Sequence, residues 1–165
     1  MLIKVDASGA IVEEIAIPAE LAAQSSRFGF EGVAVTGSGA DDETVWLAVQ
    51  REWKDDPKGL AKRLAYKPGS KSCGAVHYPL DKTETGWVGL SEITSVPNGF
   101  VVIERDNQIG QAAKIKKLSF IVGAELVSSP LGSSLPVVKK NELRAFFPTS
   151  RLMAVSSSIK SKVLR

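Results

Sequence analysis

Four carboxylates and two arginines stand at matching places in this 165-residue chain. Glu31 lies near the start of the run Phe30-Glu31-Gly32-Val33-Ala34-Val35, and Glu92 near the start of Ser91-Glu92-Ile93-Thr94-Ser95-Val96. The run that follows each ends in a polar-Arg-acid triplet, Gln50-Arg51-Glu52 and Glu104-Arg105-Asp106. Brought together, the oxygens of Glu31, Glu92, Glu104 and Asp106 are the ligand type that Ca²⁺ takes. Arg51 and Arg105 carry planar forks of N–H donors that clamp a phosphate by paired hydrogen bonds. The same periodicity also arises if these acids and arginines pair with one another, or cap strand-end amides, to hold neighbouring units together.

Other chemistry-bearing residues make weaker sites. Gly89-Leu90-Ser91-Glu92-Ile93 begins like a serine nucleophile elbow, but Ile93 stands where the closing glycine belongs and Ser91 falls at a strand start. His77, the single histidine, alternates with Val76 and Tyr78 and reads as a structural strand residue. Gly37-Ser38-Gly39 lacks the third glycine and following helix of a dinucleotide loop and reads as a hairpin turn. Asp41-Asp42-Glu43 reads as a solvated loop, and Trp46, Trp53 and Trp87 as packing aromatics rather than a ligand platform. Cys73 has no second thiol for a disulfide and no His pair at zinc-ligand spacing.

The elements that must position these residues follow strand grammar: apolar residues alternate or form short runs bounded by turn signals. Residues 2–6 and 11–17 form a hairpin around Ala7-Ser8-Gly9-Ala10, and residues 32–35 and 44–50 form a second around a glycine-rich loop. Further strands are predicted over 74–80, 91–96, 99–104 and 116–122, with single helical turns at Pro18–Ala23 and Pro57–Leu64. Many short strands with polar turns point to an all-β fold. The repeat of carboxylate, hairpin and triplet favours a β-propeller, here about two to three blades of antiparallel strands, with residues 53–73 as an insertion between copies.

The composition removes whole classes of function. No apolar stretch approaches the roughly 20 residues of a membrane span, and the first residues lack a signal peptide's apolar stretch and cleavage site. The net charge is +3, yet all 18 acidic residues lie at or before Glu142, while Arg144, Arg151, Lys160, Lys162 and Arg165 follow it. The body is therefore slightly acidic, and nothing in it suggests a nucleic-acid partner.

The chain divides into a domain over 1–144 and a different segment over 145–165, which has no acids and a Ser156-Ser157-Ser158 run. That segment reads either as a disordered basic tail or, the preferred reading, as a translation out of frame. Restoring one base inside the Ala145 codon of a chosen back-translation yields a peptide containing V-E-G-F-A, a third copy of Phe30-Glu31-Gly32-Val33-Ala34. The gene's nucleotide sequence decides between them.

Gly29-Phe30-Glu31-Gly32-Val33-Ala34-Val35, Leu47-Ala48-Val49-Gln50, Ser91-Glu92-Ile93 and Ile103-Glu104-Arg105-Asp106 resemble the phytase-like family, also described as esterase-like activity of phytase. The resemblance covers residues 1–144, and the re-read tail extends it. It implies a β-propeller of several hundred residues, periplasmic or secreted in its full-length form, of which this chain is an interior fragment. It further implies a hydrolase of phosphoric or carboxylic esters, metal-assisted in that form. Glu31, Glu92, Glu104 and Arg105 would be catalytic, Arg51 and Arg105 would bind substrate, and Glu31, Glu92, Glu104 and Asp106 would hold Ca²⁺. The partners implied are a small-molecule ester or phosphate and the missing blades of the same propeller, with no membrane and no nucleic acid. The alternatives are a non-catalytic propeller that binds a ligand or partner protein at the same mouth of its central channel and a truncated product without activity.

Overall fold

A computed structural model describes residues 1–39 and 41–146. It is all-β, with three antiparallel sheets, one short α-helix and two single 3-10 turns among the described residues. A hairpin of β1 (Leu2–Val5) and β2 (Ile11–Ile15) is followed by α1 (Ala19–Gln24). The first large sheet is a meander of β3 (Phe30–Thr36), β4 (Thr44–Val49), β5 (Leu60–Lys67) and β6 (Ser72–Pro79). The second is a meander of β7 (Val88–Val96), β8 (Gly99–Asp106) and β9 (Lys116–Val122). Two later strands close their outer edges: β10 (Ser129–Pro130) pairs with β6, and β11 (Asn141–Ala145) pairs with β9. Two meanders whose first strands pack side by side are the arrangement expected of a partial propeller, and the described residues form no closed barrel. Among them no helix is long and apolar enough to cross a membrane.

Burial explains the element choice. Ala34, Trp46, Ala48, Val76 and Tyr78 of the first sheet pack against Leu90, Ile93, Phe100, Val102 and Ile121 of the second. Trp46 meets Phe100 edge to face, 5.8 Å between ring centroids. The other face of the first sheet buries Leu47, Val49, Leu64 and Ala75 with Leu21 of α1 and Trp53. Because β4 is covered on both faces, Trp46 to Val49 is a continuous apolar run rather than an alternating one. Each large side chain buried this way contributes about 2 kcal/mol.

At the seam the sheets touch through backbone. A Cβ on Gly32 would lie 2.4 Å from Glu92 Oε1 and 2.5 Å from the Ile93 amide nitrogen, so only glycine lets β3 and β7 approach this closely.

The structure departs from the sequence reading in three places. Residues 60–67, assigned partly to a helical turn and wholly to an insertion, form β5, a central strand buried from Ala61 to Tyr66. Lys62 and Arg63 hid it: Lys62 is buried because Asp55 (2.6 Å) and Asp56 accept its protons, and Arg63 because its guanidinium lies 4.6 Å from the Tyr78 ring centroid. The repeat is also offset by one residue. Glu31 is bulged out of the β3–β4 register and Ser91 out of the β7–β8 register, so the structural counterpart of Glu31 is Ser91 rather than Glu92. Finally, Ala145, placed at the start of the divergent tail, pairs with Lys117 as the last residue of β11. Residues 147–165, the rest of that tail, lie outside the described residues.

Candidate functional site

Antiparallel register brings the start of β3, the end of β4, the start of β7 and the end of β8 to one edge of the molecule. Phe30 faces Val49, Val88 faces Asp106, and the Leu90 N–H donates to the Gln50 carbonyl (2.9 Å) across the two sheets. Trp87, just before β7, is fixed by its own amide, which donates to Asn107 Oδ1 (2.9 Å), and by its carbonyl, which accepts from the Asn107 N–H (3.0 Å).

On this indole two arginines meet. The guanidinium carbon of Arg51 is 5.3 Å from the ring centroid and that of Arg105 is 4.9 Å away. Phe28 extends the stack, 5.2 Å from Trp87, with Arg51 at 5.2 Å and Arg27 at 4.9 Å from its own ring. A Cβ on Gly89 would meet the Gln50 carbonyl at 2.9 Å and Trp87 Cζ3 at 3.0 Å, so the missing side chain lets the indole lie flat here. Arg51 is braced by Glu52, which accepts from Nε (3.2 Å) and pairs with Nη2 (3.1 Å), and Arg105 Nε donates to Ser91 Oγ (2.9 Å). Among the described residues no acceptor meets the terminal nitrogens of Arg105 or the guanidinium of Arg27. Three cations thus lie against two rings, with Glu52 paired to Arg51, and guanidinium groups of this kind can donate to an oxyanion. A cleft of about 580 Å³ opens beside Arg51 and Trp87, with Glu52, Lys58, Asp81 and Lys82 in its walls; Arg105 does not line it.

The four carboxylates do not gather at this mouth. Glu31 is exposed on its bulge, and Glu92 is half-buried in the β3–β7 seam, where Oε1 accepts the Ile93 N–H (2.8 Å). Glu104 is wholly buried: Oε2 accepts from Tyr78 (3.0 Å) and Lys140 (2.7 Å), and Oε1 from the Asp81 N–H (2.6 Å). Asp81 also pairs with Lys117 and Lys140, which hold its carboxyl below the usual range although burial raises it. Burial pushes the Tyr78 phenol up, with Glu104 adding to it, and burial lowers Arg63 to about 10. Asp106 accepts from the amides of Gln108 (3.2 Å), Lys114 (2.6 Å) and Ile115 (2.8 Å) and from Lys116. Burial raises its pKa, but Lys116 and those amides outweigh this and hold it at about 2.

The expected calcium shell therefore does not form from these residues. Glu104 and Asp106 already have lysines as counter-ions, and among the described residues no three His, Cys, Asp or Glu side chains are placed to hold a metal. Glu104 is likewise too buried to touch a substrate, so its role is to hold the sheets together. Alternation accounts for the difference: Glu104 and Asp106 point to one face of β8 and Arg105 to the other, so the triplet cannot converge on one ligand.

Of the remaining candidates, Ser91 sits on a bulge within a strand rather than at an elbow, where it orients Arg105. Trp46 and Trp53 are packing residues, whereas Trp87 is the platform for the arginines. Arg27, Phe28 and Trp87 are site residues that the repeat does not mark, and the signal for them is proximity: each aromatic stands within two residues of a strand start whose partner strand ends at or next to a triplet.

No curated protein and no solved structure matches the chain. A family match covers residues 1–156 and so runs into the segment assigned to the tail. With that match over nearly the whole sequence, and with its two-meander β fold, the chain belongs to the Phytase-like family, described as esterase-like activity of phytase.

Proposed function

We propose that the mouth around Trp87 binds the oxyanion of a phosphoric or carboxylic ester and that the chain serves ester hydrolysis there. The observation that carries this reading is the convergence of Arg51 and Arg105, from different sheets, on one indole. Fixed N–H donors aimed at the place where negative charge builds up stabilise the transition state of acyl or phosphoryl transfer. Arg105, whose terminal nitrogens meet no acceptor among the described residues, is the principal donor, and Arg51 is the second. Glu31, at the start of β3, and Glu92, near the start of β7, have no lysine partner among the described residues, and either can take a proton from the attacking water. A calcium ion, where bound, would supply Lewis-acid polarisation, but the carboxylates described above do not fit such an ion and no step is assigned to it.

The engagement of Glu104 and Asp106 by lysines favours one other reading, a non-catalytic site that binds the same anions. Hydrolysis of 4-nitrophenyl phosphate and 4-nitrophenyl acetate by the 165-residue chain, alongside inorganic phosphate binding, separates the two. The hydrolase reading predicts turnover that falls about tenfold or more in Arg105→Gln. Phosphate binding without turnover selects the binding module, and neither binding nor turnover overturns both.

A further inference from the structure

A second pocket, of about 530 Å³, lies between α1, the start of β5, β6 and residues 131–137, and shares no lining residue with the cleft beside Arg51. Its walls are apolar at Leu21, Leu60, Leu131 and Leu135. Its chemistry is set by His77 and Asp56. The Asp56 side chain is fully buried; Oδ2 accepts the Trp53 N–H (2.9 Å), and Oδ1 faces both Lys62 and His77 Nε2 (2.9 Å). A carboxylate paired with Lys62 can only accept, so Nε2 carries a proton towards it, and in the neutral imidazole Nδ1 keeps the lone pair. The imidazole is only 9% exposed, and Nδ1 has no partner among the described residues. The backbone of His77 is held as well, its N–H by the Pro136 carbonyl (2.8 Å) and its carbonyl by the Val138 N–H (2.9 Å), while the Nε2 bond to Asp56 orients the ring.

The charge around this acceptor is one-sided. Glu20, Asp55 and Asp56 line the pocket, and among the described lining residues Lys62 alone is a Lys or Arg, so the lining is net negative whichever form the imidazole takes. An anion is repelled there, and a neutral apolar molecule leaves the Nδ1 acceptor unmet, which costs about 1–3 kcal/mol. We propose that this pocket is a second binding site, for a small molecule that carries a protonated amine on an apolar body. The ammonium donates to His77 Nδ1 and faces Glu20 and Asp55, while the body lies on the leucines. The proposal does not depend on the ester site.

His77 is the chain's only histidine, so its ring resonances report on the pocket without ambiguity. Titration of the 165-residue chain with benzylamine, benzyl alcohol and benzoate, followed by NMR, is the test. Benzylamine is expected to shift the His77 signals saturably and to bind more tightly than either control. Glu20→Gln, at an exposed position on α1, should weaken benzylamine about two- to fivefold and leave phosphate binding at Trp87 unchanged. His77→Phe should abolish binding; if that variant fails to fold, Glu20→Gln still decides. Unsaturable benzylamine shifts, equal affinity for benzyl alcohol or benzoate, or an unchanged affinity in Glu20→Gln would each overturn the proposal.

Discussion

Arg51 and Arg105 are 54 positions apart in the chain and both lie against one indole, 5.3 and 4.9 Å from the Trp87 centroid. Like charges this close repel in a bare environment, and the ring's negative quadrupole offsets the repulsion by about 0.5–1 kcal/mol per arginine. Replacing the indole should therefore loosen both guanidinium groups at once. Trp87→Leu is expected to weaken inorganic phosphate binding by about tenfold while keeping most of the fold, as read by calorimetric titration and thermal melting. Unchanged phosphate affinity would show that the arginines act without their platform.

The contact between Gly32 and Glu92 leaves no room for a methyl group. Gly32→Ala must separate β3 from β7 or displace the Glu92 carboxylate, and overpacking of this kind costs about 1–3 kcal/mol. The expected outcome is a lower urea midpoint with an unchanged slope. A midpoint equal to that of the parent chain would mean that the seam is not held as described.

Glu104 is assigned to structure rather than to catalysis. Glu104→Leu leaves Lys140 facing only Asp81 and strands the Tyr78 hydroxyl, and breaking a buried pair in this way costs about 3–5 kcal/mol. Adding Lys140→Met should recover part of that loss, so a double-mutant cycle in urea should give a clearly non-zero coupling. Full stability in Glu104→Leu together with lost phosphate binding would instead return Glu104 to the site.

Asp106 gives the fold an acid limb. Its folded-state pKa of about 2 lies below the ordinary 3.8, so its stabilising contribution is fully present above about pH 4 and is lost as pH falls towards 2. Asp106→Asn should lower stability at neutral pH and flatten the decline in melting temperature between pH 4 and pH 2. An identical acid profile in the variant would contradict the assignment.

Much of this was readable from the residues, and the misses have physical causes. β3, β4, β7 and β8 announce themselves by apolar alternation or short apolar runs, and Arg51 and Arg105 by their matching triplets. β5 was hidden because Lys62 and Arg63 are polar in sequence and buried in space, each with a partner that only the fold supplies. The one-residue slip of the repeat comes from bulges at Glu31 and Ser91, which composition does not encode. Glu104 and Asp106 looked like ligands because spacing reports proximity along the chain and not which lysines, from β9 and residue 140, come to meet them.

The most direct test of the central claim is a double-mutant cycle of Arg51→Gln and Arg105→Gln, with inorganic phosphate affinity measured by calorimetric titration. If the two arginines form one oxyanion site, each single change weakens binding by about tenfold or more, and the double variant departs from the sum of the two by at least about 0.5 kcal/mol. Phosphate affinity that is unchanged in both single variants would contradict the account.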